Sequence, residues 1–245
     1  TYAQKKRLDP EALLSNQLIK ASEESLLQKS YSFDTSGFCL LRSDTRTVVL
    51  KFGGEGIGHG HPDKLSITIH DGKNELVSDF GTSGYGVPDY LKWYKRTLSH
   101  NTVTVDAKDQ KRSVGKLLKF NPRSDGGYAE AETTTAYPGV RMKRSLDLKG
   151  THLQDVYTCT SDSSHLYEYV ILFNEKPLMD GQPTATTLTG SEVHERIHNI
   201  FSYPHKSGFT CRTSSASVQF DIPEGEVMEV VLGEASGIPA NSTVK

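Results

Sequence analysis

Cysteine is scarce in this chain of 245 residues. The three present, Cys39, Cys159 and Cys211, are odd in number and far apart. They form no CxxC pair, so neither a disulfide framework nor a cysteine-rich zinc module can be built from them. Small core or surface residues are the expectation for all three. An excess of charge of one sign is also missing. Lys and Arg total 28 against 30 Asp and Glu, a formal net charge of -2. That excludes the broad basic field of a general nucleic-acid binder. An acidic sugar polymer would have to bind through a local basic patch. No apolar run approaches the length needed to cross a bilayer, so no membrane partner is expected. The opening TYAQKKRLDPEALL has no apolar core and no small-residue cleavage site, and does not read as a signal peptide. No repeat and no long linker occurs.

What is present is mostly β-prone. Residues 9 to 29 predict one helix, with Asp9 as N-cap, Pro10 at the first helical position and leucines at helical spacing. After Tyr31 short β-prone runs follow one another: Phe38–Arg42, Thr47–Phe52, Leu65–His70, Glu75–Ser78, Thr102–Asp106, Gly127–Thr135, Arg141–Leu148, Leu153–Thr160, Tyr167–Phe173, Ala216–Ile222 and Glu226–Leu232. Turn signals such as Asp71-Gly72, Asp125-Gly126 and Lys149-Gly150 separate them. The expected fold is an all-β antiparallel sandwich preceded by one α-helix. Arg141–Leu148 alternates, with Met142, Leu146 and Leu148 among charged neighbours, as a half-solvated strand should. The division expected is 1–30 as a helical connector and 31–245 as the sandwich, with both ends cut from a longer protein.

The segment FGGEGIGHGHPDKLSITIH is the most informative. Its glycines lack the GK[ST] of a phosphate loop. In extended chain, His59 and His61 point to one face. LVSDFG then places Asp79 at a strand end, and YKRTLSHNTVTVD delivers His100 at the start of another strand. Two imidazoles and a carboxylate suit zinc if they converge; the alternative for each is an ordinary structural role.

The motifs GHGHPDKLS, SDFGTSGYG and YKRTLSHNTVTVD, in this order and at these intervals, resemble the heparinase II/III-like C-terminal domain. Weaker similarity continues through VRMKRSLDLKGTHLQDVY and VVLGEASGIPAN. The resemblance implies a supersandwich fold and a lyase that cleaves uronate-containing polysaccharide, such as heparan sulfate or alginate. It implies one zinc, structural in role by the same likeness, held by His61, Asp79 and His100. It places His59 in the cleft near the sugar, as a catalytic residue. It also implies a periplasmic or secreted protein, and a partner part: an N-terminal helical toroid that carries the catalytic tyrosine. Without that part, this chain is expected to hold half an active site and to show little or no lyase activity.

Other features carry rival readings. Tyr94 and Arg96 stand ready for sulfate or carboxylate groups, Arg being suited to bidentate binding; a solvated charged loop fits equally. GYGVPDYLKWY is either a sugar-stacking loop, which would suit a non-catalytic carbohydrate-binding sandwich, or a cover over the sheet. His194-Glu195-Arg196-Ile197-His198 spells HExxH, the metalloprotease signature, which requires a helix to bring both histidines to one face. A Thr-rich stretch before it and Pro204 soon after oppose that helix.

Overall fold

A computed structural model describes residues 29–245, apart from 55–58, 73, 81–85, 87–88, 204–207, 224–227, 238–242 and 245. The expected helix over 9–29, and with it the connector over 1–30, falls outside the described residues but for the last one or two.

The first sheet is an antiparallel meander. It runs β1 (Tyr31–Phe33), β2 (Phe38–Arg42), β3 (Arg46–Lys51), β4 (Ser66–Asp71) and β5 (Asn74–Val77), in sequence order. A short strand, β6 (Val103–Val105), follows. Then β7 (Lys116–Arg123), β8 (Gly126–Tyr137), β9 (Val140–Lys149) and β10 (His152–Ser161) form a second antiparallel sheet, in the order β10-β9-β8-β7. β11 (Tyr167–Tyr169) returns to pair with β6. The later strands are β12 (Leu178–Met179), β13 (Thr184–Ala185), β14 (His198–Tyr203), β15 (Gly208–Arg212), β16 (Ser217–Asp221), β17 (Val230–Ser236) and β18 (Thr243–Val244). They make two smaller sheets, β12-β15-β16 and β13-β14-β17-β18.

The core lies between the first two sheets. Cys39, Leu41, Val48, Leu50 and Ile67 from β2–β4 share one buried cluster with Ala129, Ala131, Met142, Leu146 and Leu148 from β8 and β9. Every second residue of β9 is buried, from Val140 to Leu148, while its neighbours reach solvent. Two faces of this kind must cover each other, which makes the antiparallel sandwich. Burying each leucine or methionine of this set contributes about 1.5–3 kcal/mol.

Two glycines set the entry to the glycine-rich segment. Phe52 N and Gly53 N both donate to Gly37 O, at 2.7 and 2.9 Å. A Cβ on Gly37 would lie 1.9 Å from Gly53 Cα, and one on Gly53 would lie 2.4 Å from Gly37 Cα. Only glycine allows this backbone crossing.

Several strands lie outside the sequence expectation, among them β1, β7, β12, β13, β14, β15 and β18. β7 lacks alternation, contains Pro122 and carries a bulge, all of which hide an edge strand. β14 begins inside the HExxH segment, at its second histidine.

All three cysteines are free thiols. Burial pushes the thiols of Cys39 and Cys159 up to about 12 and that of Cys211 to about 11. The thiolate is the nucleophile, so all three are unreactive well below those values. We predict almost no reaction of native protein with a disulfide reagent at pH 8, and three equivalents after unfolding in guanidinium. Rapid native labelling would contradict the burial. Among the described residues no helix is long and apolar enough to cross a membrane.

Candidate metal and substrate site

Three separate segments meet at one end of the first sheet. The loop between β3 and β4 carries His61, the end of β5 leads to Asp79, and a turn over Thr97–Ser99 delivers His100 just before β6. His100 is fully buried and His61 nearly so. His61 Nδ1 lies 3.3 Å from His100 Nε2. On the other edge of the ring, His100 Nδ1 donates to Asp79 Oδ2 at 3.0 Å. The structure thus brings the two histidines to ligand spacing, while Asp79 lies behind His100, on the ring edge away from His61.

The loops are held by backbone-directed side chains. Thr97 Oγ1 donates to Pro62 O at 2.8 Å. Gln110 accepts from Lys64 N at 2.7 Å and donates to Lys64 O at 3.0 Å. Asn101, wholly buried, donates to Ile67 O and Ser78 O and accepts from Leu172 N. Such bonds satisfy carbonyls and amides that an irregular loop would otherwise bury unpaired.

The electrostatics prepare the histidines differently. Burial, followed by the neighbouring His100, holds the pKa of His61 down to about 4. Burial also disfavours charge on His100, but the charge and hydrogen bond of Asp79 outweigh it and raise its pKa. With Asp79 accepting from Nδ1–H, the lone pair of His100 Nε2 faces His61 Nδ1. Two nitrogens bonded at about 2.0–2.1 Å to one tetrahedral zinc stand about 3.3 Å apart, which is the spacing found here.

A second carboxylate is close. One ligand atom each from His61, Asp63 and His100 fit within 4.8 Å of one another. Asp63 is, however, already gripped by two ammonium groups, with Lys64 Nζ at 3.0 Å from Oδ1 and Lys51 Nζ on Oδ2. A divalent cation there would meet two lysines. Sequence reading missed Asp63 and Lys64, although both stand inside the GHGHPDKLS motif.

The remaining expected site residues separate. His59 is exposed on a turn two residues before His61. Tyr94 is not available to a sugar: it is 1% exposed, and its hydroxyl donates to Gly237 O at 2.8 Å. Its neighbour Trp93 donates to Ser236 O at 2.8 Å. Trp93, Tyr94 and Leu98 pack with Ala235 in a buried cluster. The YLKWY part of the aromatic segment is therefore a clasp onto β17 and not a stacking platform. Arg96 is committed to Asp109 at 2.6 Å and Glu192 at 2.8 Å. The HExxH segment corrects the protease alternative. His194–Arg196 form one turn of 3-10 helix and His198 opens β14, so no α-helix carries both histidines. His194 Nε2 is bonded to Glu168 at 2.7 Å, and His198 is exposed.

Residues 26–224 match the family described as heparinase II/III-like, C-terminal. The chain belongs to this family. It is 28% identical over 207 residues to an alginate lyase of Stenotrophomonas maltophilia, covering 70% of this chain and 28% of that protein. It is 28% identical over 153 residues to an exo-oligoalginate lyase of Saccharophagus degradans, covering 52% of this chain and 20% of the relative. A heparin-sulfate lyase of Bacteroides stercoris is 31% identical over 128 residues, covering 48% of this chain and 19% of the relative. The chain therefore spans less than a third of these relatives. A solved heparan sulfate lyase from Pedobacter heparinus shares the fold, with TM-score 0.54 and 16% identity over 74% of this chain and 28% of that one. As a member of the heparinase II/III-like family, the chain has the fold expected from its sequence, in antiparallel sheets.

Proposed function

We propose that this chain is the β-sandwich part of a lyase that cleaves uronate-containing polysaccharide, or its oligosaccharides, by β-elimination. The observation that carries the reading is the convergence of His61 and His100 at ligand spacing, with Asp79 on the far edge of His100 and exposed His59 two residues from His61. The curated relatives support it, since they are named as lyases of alginate and of heparin sulfate.

In such a reaction a base removes the C5 proton of the uronate. The electron pair forms the C4–C5 double bond, the C4–O bond breaks, and an acid protonates the leaving oxygen. Full charge on the uronate carboxylate opposes loss of that proton, so a donor must neutralise it. His59 takes this role, donating to the carboxylate or passing a proton at the reacting sugar. His61 and His100 hold one zinc, and Asp79, the third ligand by family likeness, holds His100 Nδ1–H on the edge away from His61. When bound, the metal supplies orientation, fixing the loop that aims His59. Asp63 stays with its lysines and shapes the loop. The base and the other half of the cleft belong to the helical part of the whole protein. Polymeric uronates lie outside the cytoplasm, which supports a periplasmic or secreted location.

The test uses the protein with its helical part and a panel of alginate, heparan sulfate and hyaluronan, read by absorbance of the unsaturated product. Wild type degrades at least one, and His59→Ala lowers the rate by about 10²–10⁴-fold. No product from any uronate polymer, or full activity in the variant, would contradict the reading.

A further inference from the structure

Arg144 stands on the inner face of β9, between Met142 and Leu146, and is fully buried. A guanidinium inside a sandwich core is costly unless its charge and every donor find partners. Here they do. Nε donates to Asp155 Oδ1 at 2.9 Å, and Nη2 reaches Asp155 Oδ2 and, at 3.0 Å, the Tyr169 hydroxyl. The rings of Tyr157 and Tyr169 lie 5.3 and 5.6 Å from the guanidinium carbon. Nη1 leaves this cluster. It donates to Leu65 O at 2.7 Å and to Asn101 O at 2.6 Å.

Those two carbonyls belong to the two loops of the candidate site. Leu65 lies four residues after His61, and Asn101 directly follows His100. Leu65 also sits at φ 63°, a left-handed conformation that a leucine adopts only when its surroundings impose it. Its N–H is held by Lys51 O at 2.8 Å, and its carbonyl by Arg144.

We propose that Arg144 is the positioning residue of the His61–His100 pair. One guanidinium in the second sheet bolts both histidine-bearing segments to the core, and so sets the 3.3 Å spacing of the two nitrogens. The inference rests on the metal reading only for its most sensitive readout. Lysine cannot substitute, because a single ammonium cannot span two carboxylate oxygens and two diverging carbonyls.

The experiment compares wild type, Arg144→Lys, Arg144→Met and a control, Met142→Ala, from the same face of β9. Zinc affinity is measured by competition with a chromophoric chelator under conditions where each variant is folded by circular dichroism. Both Arg144 variants weaken zinc binding by about 10–100-fold. Met142→Ala lowers the melting temperature and leaves the affinity unchanged. If Arg144→Met does not fold, Arg144→Lys carries the comparison. The same proteins are read without metal by long-range ¹H–¹⁵N NMR of the imidazoles. The shifts of His61 and His100 in wild type give way to those of free imidazole in Arg144→Lys. Zinc binding as tight as wild type in a folded Arg144 variant would overturn the proposal, as would a loss in Met142→Ala that tracks stability alone. Should wild type bind no zinc, the metal reading fails and the NMR comparison alone decides: unchanged imidazole shifts in Arg144→Lys overturn the positioning role.

Discussion

Replacing His100 with alanine takes the zinc content of the purified protein from one per chain to none. His100 is fully buried and offers Nε2 to the gap shared with His61. Loss of partners outside the ligand set costs about 10–100-fold in metal affinity, so loss of a ligand costs more than about 100-fold. On the proposed site, zinc that binds only the folded chain stabilises it by about 2.7 kcal/mol at a hundred times its Kd. Added zinc therefore raises the melting temperature of wild type and leaves that of His100→Ala unchanged. Because His100→Ala also strands Asp79, His61→Ala is the companion variant, with the same expected loss. Asp63→Asn separates the two carboxylates: it retains zinc, whereas Asp79→Asn, by releasing the His100 ring, weakens zinc binding by about 10–100-fold. Zinc retained at one per chain in both histidine variants would contradict the assignment.

Asn101→Ala destabilises the protein on the order of 4 kcal/mol, a large part of the 5–15 kcal/mol typical of a folded domain. Its Nδ2 donates to Ile67 O at 2.9 Å and Ser78 O at 2.5 Å, and its Oδ1 accepts from Leu172 N at 2.7 Å. Alanine leaves three buried backbone groups without partners, each costing about 1–3 kcal/mol. Asn101→Asp is no better, since it sets a carboxylate against two carbonyl oxygens. Urea unfolding checks both, and a shift under 1 kcal/mol in Asn101→Ala would show that these groups find other partners at little cost.

His61, Asp79 and His100 could be singled out in the sequence, because three spaced motifs carry them, whereas Asp63 and Lys64 were passed over. The convergence of the first three was not legible. Spacing says nothing of how a loop, a strand end and a turn meet, and that depends on Asn101, Gln110, Thr97 and Arg144, which act through backbone carbonyls and amides. Arg144 had a readable signal. It shares the parity of Met142, Leu146 and Leu148 on β9 and so had to face inward. An alternating strand with charged neighbours nevertheless reads as half-solvated when one charge is taken to lie outside. Tyr94 and Arg96 were misplaced for a related reason. Aromatic and basic residues beside a site motif suggest a binding loop, while their real partners, Gly237, Asp109 and Glu192, lie 143, 13 and 96 residues away. HExxH failed because its second histidine opens β14, where pairing with β17 overrides local helical preference. β2 matched its expected bounds, since strict alternation leaves little freedom.

The most direct measurement is anomalous scattering at the zinc edge from crystals of the protein as purified. The account predicts one peak per chain, within bonding distance of His61 and His100, between His61 Nδ1 and His100 Nε2. A peak at His194 and His198, or none anywhere in the chain, would contradict it.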